Sequence, residues 1–148
     1  MSPLSFEDIQ IGQTYTSEAI TIREADVKSF ATLTGDTNPI HLDAEYAATQ
    51  VFGQRVAHGL LGLSITVGLA WKAISTEGAL LALREIDNWK FSAPIYLDDS
   101  IRVRATVRDK KAVRRLGGGL VTYAVEIVNQ DGQVVQHGDW VLLVTSQG

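Results

Sequence analysis

Cysteine is absent from the 148 residues. That removes disulfide frames, thiolate nucleophiles and cysteine-based metal sites, and it fits a reducing compartment. Positive charge is short as well. Thirteen Lys and Arg face 17 Asp and Glu, and the formal charge of −4 offers no global attraction to nucleic acid or to an anionic membrane surface. The amino terminus shows neither the basic start nor the apolar run of a secretory leader, so a cytoplasmic location is the default expectation. Internal repeats and low-complexity tracts are also missing. Proline occurs only three times, and one of the three, Pro39, falls in the most informative segment of the chain.

What is present suits a soluble globular protein: 45% hydrophobic and 20% charged residues. A chain of this length buries about 70% of its unfolded surface in one core. A single domain over residues 1–148 is expected, with no second domain required.

The informative segment is 30–47, where an acid, Asp36, and an imidazole, His41, flank Asn38-Pro39. A carboxylate is ionised near neutrality and a histidine can trade a proton there, which is what acid–base chemistry on a neutral substrate requires. On a regular helix, five positions of separation would put the two side chains on different faces. Pro39 disfavours that helix, so 35–40 is expected to form a loop in which the two can converge. Each residue also has a purely structural reading. Gly35 can end the preceding helix, Asn38 can bond its own loop backbone, and Asp36 can be a solvated turn residue. Together, five constrained types in the seven places of Gly-Asp-x-Asn-Pro-x-His carry more weight than any one of them.

Phe30, Leu33, Thr34, Gly35, Asp36, Asn38, Pro39, His41 and Ala47 resemble the hydratase signature of the MaoC-like, R-specific enoyl-CoA hydratases. The similarity runs over most of the chain. The resemblance implies an α+β hot-dog domain, an antiparallel sheet wrapped around a long central helix. It also implies catalytic roles for Asp36 and His41 in adding water to a trans-2-enoyl-CoA thioester, giving a 3-hydroxyacyl-CoA. Coenzyme A would enter as part of the substrate, with no separate cofactor.

The order of elements fits that arrangement. Residues 15–22 read as a first strand, and Thr21-Ile22-Arg23-Glu24 has the form of a capping box starting a helix through Leu33. Asp43 reads as the N-cap of a short helix, 44–49, ended near Phe52-Gly53. Residues 57–74 are apolar apart from His58, Ser64, Thr66 and Lys72. About 18 apolar residues can span a bilayer, but a histidine, three glycines, two hydroxyls and no basic flank favour a helix covered by a sheet and a partner subunit. Strands follow at 83–92, 100–109, 120–129 and 134–144, with Asp131-Gly132 as a hairpin turn and 108–119 as a loop.

Adding water at the β carbon of a conjugated thioester develops negative charge on the carbonyl oxygen, and backbone amides at a helix start stabilise such charge. Ala57-His58-Gly59 opens the long helix, and Gly59 is the candidate donor, a role the resemblance also implies for this His-Gly pair. The alternative is that Gly59 only permits tight packing. His58 reads as a structural histidine shaping the loop, with a second acid–base role as the alternative. Where some family members carry a pocket serine on the long helix, Val67 stands here, with Ser64 and Thr66 nearby. Seven basic residues, Arg102, Arg104, Arg108, Lys110, Lys111, Arg114 and Arg115, crowd fourteen positions. Most suit a solvated hairpin tip, while Arg84 and Lys90, together with Asn38 and His58, are candidate substrate contacts. Trp89, Phe91 and Pro94 can line an acyl or pantetheine channel or simply pack the sheet.

Two other functions stay in view. Hot-dog thioesterases commonly present an acid on the central helix, and residues 58–76 contain none. A non-catalytic acyl-CoA-binding module would bind without turnover. A metal site from Asp36, His41 and His58 lacks helical His-x₃-His spacing, so no metal is expected. One sheet leaves a face uncovered, which implies a homodimer or a larger homo-oligomer of dimers.

Overall fold

The computed structural model describes residues 5–74 and 79–146. Residues 1–4, which open the stretch scanned for a leader, lie outside them. After a 3-10 turn at Phe6–Asp8 come two short strands, β1 (Thr14–Thr16) and β2 (Ile20–Thr21), then helices α1 (Glu24–Thr34), α2 (Pro39–Leu42), α3 (Ala44–Ala48) and the long α4 (Gly59–Ile74). The chain finishes with four long strands, β3 (Leu80–Phe91), β4 (Ser100–Val113), β5 (Gly118–Asn129) and β6 (Val134–Thr145). They form one antiparallel sheet in the order β1-β4-β5-β6-β3, with β2 also on β4.

The inward positions of the sheet alternate as the pleat demands: Val103, Ala105 and Val107 on β4, Val121, Tyr123 and Val125 on β5. They close over Leu63, Ala70 and Ile74 of α4. A second cluster around Ile22, Val27, Leu61, Ile95 and Ile127 packs α1 and the start of α4 onto the sheet's other end. Each Val, Leu or Ile side chain among them contributes about 1.5–3 kcal/mol by leaving water. A sheet wrapped on one helix is the hot-dog arrangement that the motif implies. No helix among the described residues is long and apolar enough to cross a membrane.

Four local expectations are corrected. The first strand is split, because the Ser17 hydroxyl accepts from the Val103 N–H at 2.9 Å and replaces a ladder carbonyl, so that residues 18–19 leave the sheet. The first helix starts at Glu24, and its capping carboxylate is Asp26, which accepts from the Arg23 N–H at 2.8 Å. The long helix starts at Gly59, because the Ala57 N–H donates to the Ile95 carbonyl at 2.7 Å and Val56 bridges to Tyr96, which keeps the approach extended. Finally, 108–119 is mostly strand. β4 and β5 stay paired out to Val113↔Gly118, with a bulge after Val107 absorbing the register change.

That longer hairpin spends several of the basic residues internally. Arg104 pairs with Glu126 at 2.8 Å and Arg108 with Asp139 at 2.6 Å, while the Lys110 ammonium donates to the Ile9 carbonyl at 2.7 Å and sits 4.4 Å from the Phe6 ring centroid.

Burial, with Tyr15 nearby, pushes the Tyr123 phenol up, so it stays a donor; its buried hydroxyl has no hydrogen-bond partner among the described residues. An unsatisfied buried hydroxyl costs about 1–3 kcal/mol. Tyr123→Phe is therefore expected to leave stability unchanged or to raise it in denaturant titration. A clear loss would reveal a partner for the hydroxyl.

Candidate active site

The helix α1 ends at Gly35, whose φ of 80° and N–H donation to the Ala31 carbonyl at 2.9 Å make it an αL cap. The structural reading of Gly35 thus holds, and the cap turns the chain so that Asp36 leaves the helix axis. The loop is shorter than expected. Pro39 occupies the first position of α2, where its missing N–H costs nothing, and Asn38 caps the turn by accepting from the Ile40 N–H at 3.1 Å. Asn38 also donates its own N–H to Asp36 Oδ1 at 3.3 Å. One carboxylate oxygen is thereby held by the loop, and the other is free to face His41.

His41 Nδ1 lies 2.7 Å from the Val56 carbonyl. A carbonyl only accepts, so Nδ1 carries the hydrogen and Nε2 carries the lone pair of the neutral ring. That Nε2 stands 3.9 Å from Asp36 Oδ2. Two acceptors at this separation are too far apart for a direct hydrogen bond and close enough for one water to donate to both. The imidazole side chain is 12% exposed and the carboxylate 51%, so the pair runs from the protein interior to solvent.

His58 is 3% exposed and stacks on His41 with ring centroids 3.8 Å apart, while Phe30 closes its other side at 5.0 Å. Its Nε2–H donates to the Asp36 carbonyl at 3.0 Å, and its buried Nδ1 has no hydrogen-bond partner among the described residues. This single ring therefore braces both members of the acid–base pair. Potential ligand atoms of Asp36, His41 and His58 lie within 4.8 Å of one another. Backbone carbonyls take one nitrogen of each ring, which leaves a single nitrogen on each for any further contact.

His41 and Asn38 border a cavity of about 570 Å³ that continues past Gly59, Leu60, Phe91 and Pro94. Leu61 and Gly62 make the first hydrogen bonds of α4, both to the His58 carbonyl. The Gly59 and Leu60 N–H groups thus precede the helix's own bonding and have no hydrogen-bond partner among the described residues, which leaves them open to a ligand. Close packing also holds at Gly59, since a Cβ there would lie 2.7 Å from Phe91 Cδ1.

The MaoC like domain model matches residues 7–129. The chain belongs to the MaoC-like family. An (R)-specific enoyl-CoA hydratase of Rhodospirillum rubrum is 33% identical over 143 residues, which is 97% of this chain and 93% of that protein. Among solved structures, a MaoC-like dehydratase from Rhodospirillum rubrum has a TM-score of 0.88 at 26% identity, covering 98% of this chain and 99% of that one. The R-hydratase PhaJ1 of Pseudomonas aeruginosa has a TM-score of 0.79 at 27% identity, covering 98% and 88%.

Within this MaoC-like chain, the remaining sequence candidates fall in different places. Arg84 is at a bulge of the edge strand β3, and Lys90 pairs with His137 on the face of the sheet away from α4. Neither borders the cavity, nor does the buried His58, and among the described residues the lining includes no Lys or Arg. Val67 borders a separate, apolar cavity of about 290 Å³ with Trp71, Leu83 and Trp140. Ser64 is exposed and the Thr66 hydroxyl is spent on the Leu63 carbonyl at 2.8 Å, so neither supplies a polar group there.

Three contributors escape a sequence reading. Val56 acts through a backbone carbonyl, for which no side-chain signal exists. Phe30 appears in the motif only as an apolar position, although its ring packs against His58 at a 60° tilt. Gln136 does leave a signal, as a polar residue at an inward position of β6. One positive group near the site is also committed: Arg55 donates to Glu24 at 2.9 Å, and with Lys28 beside it this holds the Glu24 carboxyl below the usual carboxylate range. That contact fastens the segment before Val56 to α1 above the ordinary carboxylate range, and it lets go as pH falls through the lowered value.

Gly59→Ala is expected to destabilise the fold by about 1–3 kcal/mol through overpacking. Adding Phe91→Ala should recover most of that loss in thermal melts, and failure to recover it would place the clash elsewhere.

Proposed function

We propose that the chain catalyses the reversible, R-specific hydration of a trans-2-enoyl-CoA thioester to a 3-hydroxyacyl-CoA. The observation that carries this reading is the pair of acceptors, Asp36 Oδ2 and His41 Nε2, 3.9 Å apart beside a cavity under the start of α4. One water donates to both, with its oxygen lone pairs turned toward the β carbon. Asp36 takes the proton as the C–O bond forms, charge moves to the thioester oxygen, and the free N–H groups of Gly59 and Leu60 receive it. A proton then returns to the α carbon, with His41 sharing the transfer, so the pair ends in the state in which it began.

The segment that holds the acid and base has its own hydrogen bonds, so function and folding are separable. Asp36→Asn and His41→Ala are each expected to lower kcat for crotonyl-CoA hydration about 10²- to 10⁴-fold, with unchanged far-UV circular dichroism. Activity within a few-fold of the parent in either variant would remove that residue from the mechanism.

We also propose that the working unit contains a second copy of this chain. β3 is an edge strand of twelve residues with Leu81, Leu83, Ile86 and Phe91 exposed, and α4 exposes Leu60, Val67 and Trp71 beside it. A long apolar edge left open is an aggregation hazard that pairing with another copy removes. Light scattering should report a dimer or a multiple of it, and Leu83→Arg should shift it toward monomer. A parent protein that is monomeric at micromolar concentration would overturn this part of the reading.

A further inference from the structure

We propose that Gln136 is a positioning residue for the hydration, acting through the first peptide of α4; this rests on the hydratase reading above. Gln136 sits on β6 between Phe91 of β3 and Ile127 of β5 and is 1% exposed. A buried carboxamide is costly unless both its ends are bonded, and here both are. Its Oε1 accepts from the Trp89 indole Nε1–H at 3.1 Å, and its Nε2 donates to the Gly59 carbonyl at 3.0 Å. Trp89 can only donate and a carbonyl can only accept, so the orientation of the amide is fixed by its two neighbours. At this chain length a carboxamide supplies a neutral donor and acceptor side by side, which neither a carboxylate nor an aliphatic side chain can do.

The carbonyl it holds belongs to the same peptide as the Leu60 N–H. Gly59 has no side chain to restrain its backbone, and the Phe91 ring fills the space where one would be. Fixing the Gly59 carbonyl therefore fixes the ψ angle at Gly59 and with it the angle between the two free N–H groups. Donation to a carbonyl also polarises the N–H of the same peptide, making the Leu60 amide a stronger donor. Gly59, Leu60, Phe91 and Gln136 all border the cavity beside His41. In this arrangement Gln136 touches no reacting atom. It holds the two amides aimed at the place where the thioester oxygen gains charge.

The experiment compares crotonyl-CoA hydration by the parent, Q136L, Q136E and W89F, with thermal melts to establish folding. Q136L removes both bonds and is expected to lower kcat about ten- to a hundred-fold, with KM changed far less, because the ground-state carbonyl makes weaker demands on the amides than the developing oxyanion. W89F removes one anchor of the carboxamide and should show a smaller loss of the same kind. Q136E can donate to the Gly59 carbonyl only while its carboxyl is protonated, so its kcat relative to the parent should fall as pH rises, a profile that a packing role would not produce. Q136L with the parent's kcat, a loss confined to KM, or a Q136E profile parallel to the parent's would each overturn the proposal. Should Q136L fail to fold, the Q136E profile alone decides it. A parent protein without hydratase activity would sink the functional reading and this inference together, whereas an active parent with an equally active Q136L would sink only this one.

Discussion

The hydrogen bond from His41 Nδ1 to the Val56 carbonyl, at 2.7 Å, is the constraint on which the site depends. It decides which imidazole nitrogen carries the lone pair, and so turns a histidine and an aspartate into two acceptors facing one point. The same contact joins two parts of the chain. His41 lies in the turn started by Pro39, while Val56 lies in the extended segment that leads into α4, itself held by Ile40 on one side and by Ile95 and Tyr96 on the other. The acid–base pair and the first turn of the central helix are therefore located relative to each other by this ring-to-backbone bond together with the backbone bond from the Val56 N–H to the Ile40 carbonyl.

The segment 30–47 was legible in the sequence because its determinants are local. A glycine in αL, an N-capping asparagine and a proline with fixed φ act within a few residues of themselves, so the convergence of Asp36 and His41 could be argued from their neighbours. Pro39 disfavours a regular helix through the loop, yet it begins a helical turn because the adjacent Asn38 satisfies the Ile40 donor. The other departures have a distant cause. The break after Thr16 depends on a Ser17 hydroxyl meeting Val103, and the strand beyond Arg108 depends on pairing with residues up to Gly118. No local pattern encodes either event. Periodicity located the four long strands to within a few residues, since alternation is imposed by the core that each one covers.

The central helix shows a related division. Its composition, apolar on nearly every side, signalled that more than one surface covers it but not which. The sheet takes Leu63, Ala70 and Ile74, while Leu60, Val67 and Trp71 are left outward beside the open edge of β3. The side chains that finish the site come from far along the chain. Gln136 approaches the start of the helix from the last strand, and Trp89 approaches it from the edge strand. Such contacts are products of topology, and only the polar residue at an inward strand position hinted at them.

A pair made solely of acceptors also counts hydrogens. Water brings two and can satisfy Asp36 and His41 at once, whereas the alcohol of a hydrated product brings one and must leave one of them empty. Under the proposed reaction, reactant and product oxygen occupy the same spot with unequal grip, and in the hydration direction the weaker hold falls on the species that departs.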